Sequence, residues 1–273
     1  MSRTLTAGGV NYFRGGNGPP LVLLHGVGHH WQGWRPVIDR LAPAFEVTAC
    51  DSPGFGSSAP LPDAVRPTIG AYADAFTAFF EHLGLTKPHV AGNSMGGAIA
   101  LELARKGAVA SVTAFSPAGF WTPAERRYCQ LSLGLVGRIP KPLRPSVRQL
   151  ATTPIGRVML FRQTFGWPTR LPPEEAVATL DDSWGAPALT GALAAFDDYD
   201  FTAGEELRRT PVTVAWGRYD RLLIYARQAP RARERLPWAR HLTLGAGHVP
   251  FFDDPAAVAE TIRMTASGAD RGG

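Results

Sequence analysis

Apolar positions follow two rhythms along this 273-residue chain. Short continuous runs at Pro20–Leu24, Phe45–Cys50, Val112–Phe115 and Pro211–Gly217 are bounded by turn formers, the pattern of strands buried on both faces. Between them apolar residues recur at helical spacing. In Ile69–Leu83, Tyr72, Phe76, Phe79, Phe80 and Leu83 share one face, and Gly84 ends the run. A hairpin is predicted at the start, Thr4–Ala7 and Val10–Arg14 across Gly8-Gly9. A helix is predicted from about Trp34 to Leu41. The order strand, helix, strand, helix implies an α/β fold, a mostly parallel central sheet flanked by helices. Reactive groups in such a sheet belong at the carboxyl ends of its strands.

The alternation breaks at Ser116-Pro117. From 118 to 209 no buried strand is evident. Thr122-Pro123-Ala124-Glu125 reads as a capped helix start, and prolines and glycines cut the rest of the segment into short helices. We read 118–209 as an inserted helical cap and 1–117 with 210–266 as the core. Alternation resumes at Pro211, with a basic helix over Ile224–Leu236, a strand at Arg240–Leu244 and a helix over Ala256–Thr265 capped by Asp254-Pro255. Residues 267–273 read as a flexible tail.

One stretch organises the rest. Val90-Ala91 enters Gly92-Asn93-Ser94-Met95-Gly96, and a small-residue helical run leaves it to Ala104. This is a strand, a tight turn and a helix, with a serine at the bend. Side chains two residues either side of Ser94 would collide, which glycines at 92 and 96 avoid. The helix N-terminus presents unpaired N–H groups there, so the Met95 amide is a candidate oxyanion donor.

Two further strand ends carry the chemistry that a serine nucleophile requires. Asp220 follows the strand Pro211–Gly217, and His248 follows Arg240–Leu244 through Gly245-Ala246-Gly247. A histidine must take the serine proton and return it to the leaving group, and a carboxylate must fix the histidine tautomer. The chain order serine, acid, histidine suits this turn in an α/β sheet. His25-Gly26-Val27-Gly28 closes an earlier strand and offers the Val27 amide as second oxyanion donor. Gly26, Gly28, Trp121 and Val249 are candidate pocket residues. His29 and His30 lack metal-ligand spacing and read as pocket or surface residues; no metal or other cofactor is expected.

Composition narrows the class. Hydrophobic content of 45% and charged content of 19% suit a globular domain, and no apolar run approaches the ~20 residues of a membrane span. No secretory signal is evident, and Cys50 and Cys129 read as free thiols, so a cytoplasmic location is expected. The net charge of +5 is unevenly spread. Residues 126–170 hold nine Arg or Lys and no acid, and 174–206 hold nine Asp or Glu and no base. Either the basic stretch meets an anionic ligand or the two halves neutralise each other. No nucleic-acid motif is present. The oligomeric state stays open, a homodimer being one option.

With these residues in view the chain resembles the α/β-hydrolase family. The resemblance rests on H-G-V-G at 25–28, D-S-P-G-F-G-S-S at 51–58, G-N-S-M-G-G at 92–97, W-G-R-Y-D at 216–220 and G-H-V-P at 247–250. It implies that fold, with Ser94 as nucleophile, His248 as base, Asp220 as acid and the Val27 and Met95 amides as oxyanion hole. Serine at 94, not aspartate, sets the chain apart from epoxide hydrolases and haloalkane dehalogenases. A partial likeness to carbon–carbon bond hydrolases of ring-fission products departs at Val249, where those enzymes usually carry tryptophan.

The expected function is a serine hydrolase of a small, largely apolar ester, lactone or thioester. Its alternatives are a carbon–carbon bond hydrolase, a triad-bearing lyase or biosynthetic cyclase, and a non-catalytic binder of the same fold.

Overall fold

The computed structural model describes residues 4–202 and 204–270. Eight strands form one sheet: β1 (Thr4–Ala7), β2 (Val10–Gly15), β3 (Pro20–Leu24), β4 (Glu46–Cys50), β5 (His89–Asn93), β6 (Ser111–Phe115), β7 (Val212–Gly217) and β8 (Arg240–Leu244). Their spatial order is β1-β2-β4-β3-β5-β6-β7-β8. The β1/β2 hairpin and the β2/β4 pair are antiparallel, and every later pair is parallel. Val22 aligns with both Thr48 and Val90, so β3 lies in the middle of the sheet.

Burial on both faces explains the continuous apolar runs. Leu21 and Leu23 of β3 join one core with α1 (Arg35–Leu41), while Val22 and Leu24 join the opposite core with α2 (Ile69–His82) and α3 (Met95–Arg105). All four are fully buried, each contributing roughly 1.5–3 kcal/mol. Thr68 caps α2 by accepting from the Ala71 N–H, at 3.2 Å. Trp31–Trp34 forms a 3-10 turn leading into α1, so the helix proper starts one residue later than the sequence pattern suggests.

Between β6 and β7 the described residues form helices and short 3-10 turns, with no strand. The α-helices are α4 (Pro123–Gly137), α5 (Arg144–Ala151), α6 (Pro154–Phe161), α7 (Pro173–Gly185) and α8 (Leu189–Ala195). The expected capping box at Thr122 and Glu125 is present, with both reciprocal bonds made. Leu189, Leu193 and Phe196 join one sheet core, and Phe161, Phe165 and Leu180 join the other. Ion pairs Arg126–Asp197 (3.1 Å) and Arg148–Asp181 (2.7 Å) link the basic and acidic halves. Arg157 is buried and donates to the Thr152 carbonyl, at 2.8 Å. Much of the basic stretch is thus engaged within the molecule.

After β7 come α9 (Tyr225–Arg235) and α10 (Pro255–Asp270). Asp254 caps α10, its Oδ1 accepting from the Ala257 N–H at 3.1 Å. Here the sequence reading is corrected. Residues 267–270, expected in a flexible tail, continue α10. Buried Ala266 and the Thr265 hydroxyl, bonded to Thr213 at 2.8 Å, hold the last turns to the sheet, and no proline stops the helix. Residues 271–273 of the expected tail lie outside the described residues. No helix among the described residues is long and apolar enough to cross a membrane.

Candidate active site

The turn at Ser94 has the strain its glycines imply. Ser94 adopts φ 56° and ψ −116°, unfavourable for a residue with a Cβ. A methyl group on Gly92 would strike the Gly96 carbonyl, and one on Gly96 would strike the Leu24 and His25 carbonyls. The Ser94 N–H is held by the Phe115 carbonyl (2.9 Å), and its own carbonyl accepts from Ala98 and Ala118. These three main-chain anchors fix the bend that lifts the serine off the sheet.

His248 Nδ1 donates to Asp220 Oδ2 at 2.8 Å, with both side chains buried. The other Asp220 oxygen accepts from the Leu222 and Leu223 N–H groups at 3.0 and 2.9 Å. A carboxylate only accepts, so the histidine hydrogen sits on Nδ1 and Nε2 keeps its lone pair. That Nε2 is buried and has no partner among the described residues. Ser94 and His248 line the same cavity, of about 110 Å³.

The turn after β3 forms another wall. Gly26, Val27 and Gly28 line the cavity, and the His29 N–H donates to the Gly26 carbonyl at 3.2 Å. The amides of Val27 and Met95 donate to no acceptor among the described residues. Behind this turn, His25 accepts from the Ser52 N–H at Nε2 (2.8 Å), while its Nδ1 donates to the Gly26 carbonyl (2.7 Å). Burial pushes His25 below its ordinary pKa, which keeps it neutral for both bonds. The Asp51 carboxylate ties Asn11, the Trp31 N–H and the Ser57 N–H together under the same loop.

Three of the four expected pocket residues, Gly26, Gly28 and Val249, line the cavity. Trp121 does not, and this corrects the sequence reading. Its ring packs on Phe196, with centroids 5.2 Å apart, and its indole N–H donates to the Tyr199 carbonyl at 3.0 Å, which turns it into the core. The apolar wall comes instead from Val136 and Ile139, from Leu160 and Phe165, and from Leu180 and Leu189.

Two supporting residues are not evident from the sequence. Asn93 Nδ2 donates to the His248 carbonyl (2.8 Å) and the Phe115 carbonyl (3.1 Å), joining the serine turn to the histidine loop. Its position between Gly92 and Ser94 is the available signal. Asp253 accepts from the N–H groups of Gly247 (2.7 Å), Gly166 (2.7 Å) and Trp167 (2.9 Å). It clamps the histidine loop to the helical segment, and the Val249 N–H adds a bond to the Thr164 carbonyl at 2.8 Å. Nothing in the sequence pairs Asp253 with amides some 86 residues away.

This fold and the arrangement at its strand ends define the class, and the sequence comparison agrees. Residues 21–261 match the profile of the Alpha/beta hydrolase family, and the chain belongs to that family. The chain is 30% identical over 270 residues to a pimeloyl-[acyl-carrier protein] methyl ester esterase from Aeromonas hydrophila, covering 93% of this chain and 97% of the relative. It is 30% identical to an epoxide hydrolase from Mycobacterium tuberculosis over 70% of this chain and 91% of that protein. A dihydrolipoyllysine-residue acetyltransferase component of an acetoin cleaving system from Pseudomonas putida is 31% identical over 84% of this chain. The chain spans 60% of that relative's length. Among solved structures, a meta-cleavage product hydrolase from Pseudomonas fluorescens superposes with a TM-score of 0.75 over 98% of both chains at 18% identity, a likeness of fold.

Proposed function

We propose that the protein is a serine hydrolase of small esters, lactones or thioesters, working through an acyl-enzyme. The observation that carries this is one cavity holding a strained Ser94 and an unpartnered His248 Nε2, with Nδ1 held by Asp220. His248 takes the Ser94 proton as the hydroxyl attacks the carbonyl carbon. Asp220 stabilises the imidazolium that results. The oxyanion settles between the Val27 and Met95 amides, each worth about 2.7–4 kcal/mol in the transition state. The imidazolium then protonates the leaving group, and His248 activates water to release the acid. The helices between β6 and β7 act as a cap, since they supply the apolar wall. The cavity of about 110 Å³ holds the acyl group. It is smaller than the ~150 Å³ that accommodates benzene, so a short acyl chain suits it.

A carboxylate nucleophile is not available at position 94, which weighs against an epoxide hydrolase despite that relative. Among the described residues no Arg or Lys lines the cavity, which removes a direct partner for the carboxylate of a ring-fission product. The test is a screen of p-nitrophenyl esters from acetate to octanoate on wild type and Ser94→Ala. Turnover peaking at short chains and falling about 10⁴-fold or more in Ser94→Ala supports the proposal. Turnover that survives in Ser94→Ala points to a lyase or cyclase in which the serine forms no ester.

A further inference from the structure

A relay of hydrogen bonds runs from the helical segment to the Val27 amide. Ser183, near the end of α7, donates from Oγ to the Gly28 carbonyl at 3.0 Å. That carbonyl shares a peptide group with the His29 N–H, which donates to the Gly26 carbonyl at 3.2 Å. The Gly26 carbonyl in turn shares a peptide group with the Val27 N–H, the oxyanion donor of the serine-hydrolase reading. Each planar peptide moves as a unit, so orienting one end orients the other. Each bond also polarises the next, so that a donor at Gly28 strengthens the donor at Val27.

Core and helical segment hold different ends of this relay. His25 Nδ1 fixes the Gly26 carbonyl from the core, at 2.7 Å. The Gly28 carbonyl has the Ser183 hydroxyl and no other donor among the described residues. Gly28 takes φ 73°, and a methyl group added there would lie 3.2 Å from Ser183 Oγ. Both residues line the cavity beside Ser94. Two further contacts seat α7 on the stretch that follows β3, Asp182 on His30 and Glu175 on Arg35 (3.5 Å). Ser183 Oγ also stands 3.0 Å from the Thr179 carbonyl, one turn back in its own helix. A hydroxyl has one hydrogen, so it is shared between Gly28 and Thr179.

We propose that Ser183 is a positioning residue for the oxyanion hole, and that seating of α7 on this turn completes the hole. This rests on the serine-hydrolase reading above and adds a control to that site: the Val27 donor is at full strength only with α7 seated. The two carbonyls make the control reversible. When α7 lifts, Ser183 turns to Thr179 and keeps a partner, while the Gly28 carbonyl loses its donor and the Val27 N–H is released. Leu180, on the same helix, lines the cavity, so an acyl chain packed against it favours the seated state.

The test measures kcat and KM for a short p-nitrophenyl ester on wild type, Ser183→Ala and Ser183→Thr, together with Ki for the trifluoromethyl ketone of matching chain length. That ketone accepts Ser94 Oγ at its carbonyl carbon; the serine proton passes to His248 and the ketone oxygen becomes an oxyanion in the hole. In Ser183→Ala, kcat is expected to fall about tenfold to a hundredfold, the ketone Ki to rise in step, and KM to stay near its wild-type value. Ser183→Thr, which keeps the hydroxyl, is expected to recover most of the loss. Urea denaturation checks that both variants are folded. Unchanged kcat and Ki in Ser183→Ala overturn the inference. So does a rise in KM equal to the rise in Ki, which would place Ser183 in the cavity wall alone, or a loss of kcat that a folded Ser183→Thr does not recover. Failure of wild type to turn over any ester, or to form a fluorophosphonate adduct, overturns the serine-hydrolase reading and this inference with it.

Discussion

The turns at the carboxyl edge of the sheet and the helices above them are held in place by different means. At the edge, backbone sets position. Ser94 is fixed by three main-chain bonds and by glycines that leave no room for a methyl group, and Asp220 by two amides and one imidazole. In the helical segment, position comes from side-chain packing and scattered bonds to carbonyls, such as Trp184 to Val136 (2.9 Å) and Gln130 to Leu193 (2.7 Å). Main-chain anchors tolerate little movement, as the proposed reaction centre requires. Packed side chains can be exchanged one at a time, which would let the cavity wall vary while the proposed chemistry stays fixed.

Glycine substitutions break this contrast most sharply. Gly96→Ala forces a methyl group into two carbonyls and is expected to cost at least about 3 kcal/mol and most of the activity. Gly134→Ala in α4 meets open space and is expected to stabilise by about 0.5–1 kcal/mol. Urea denaturation of both variants checks the pair.

Asp253 is where the two regions meet. Asp253→Ala leaves three amides without their carboxylate and is expected to cost about 3 kcal/mol. The loss should also appear in kcat, because the Gly247 amide next to His248 is one of the three. A stability loss with unchanged kcat would place Asp253 in the packing of the helices only.

Acid acts on two buried histidines of the edge turn. His25 and His29 both titrate below their ordinary value of 6.5, mainly through burial. The unfolded chain therefore binds more protons below pH 6.5 than the folded chain does. Their contribution is fully present above that pH and is lost as pH falls. Each is expected to remove at most about 1.4 kcal/mol per pH unit below 6.5. Chemical denaturation of wild type and His29→Leu between pH 7 and 5 should show the shallower slope in the variant.

The same contrast governs what can be read from the chain. The sheet, the serine turn and the order of Ser94, Asp220 and His248 obey local rules: buried apolar runs, glycines where a Cβ would collide, and candidate catalytic residues just past strand ends. Trp121 escapes such rules because an apolar ring in a helical segment carries no mark of whether it faces a cavity or the core. Only the Tyr199 carbonyl and the Phe196 ring decide it. Asp253 stays hidden because its partners are backbone amides, which leave no trace in residue type. The last turn of α10 is missed because Ser267 and Gly268 resemble a helix stop, while the contacts that carry the helix onward are tertiary.

The central claim is that Ser94 is an activated nucleophile made reactive by His248. Fluorophosphonate labelling followed by intact mass spectrometry, on wild type, Ser94→Ala and His248→Ala, tests it most directly. A single adduct on wild type, absent from both variants, is the predicted result. An unlabelled wild type that is folded and monodisperse, or equal labelling of Ser94→Ala, would contradict the account.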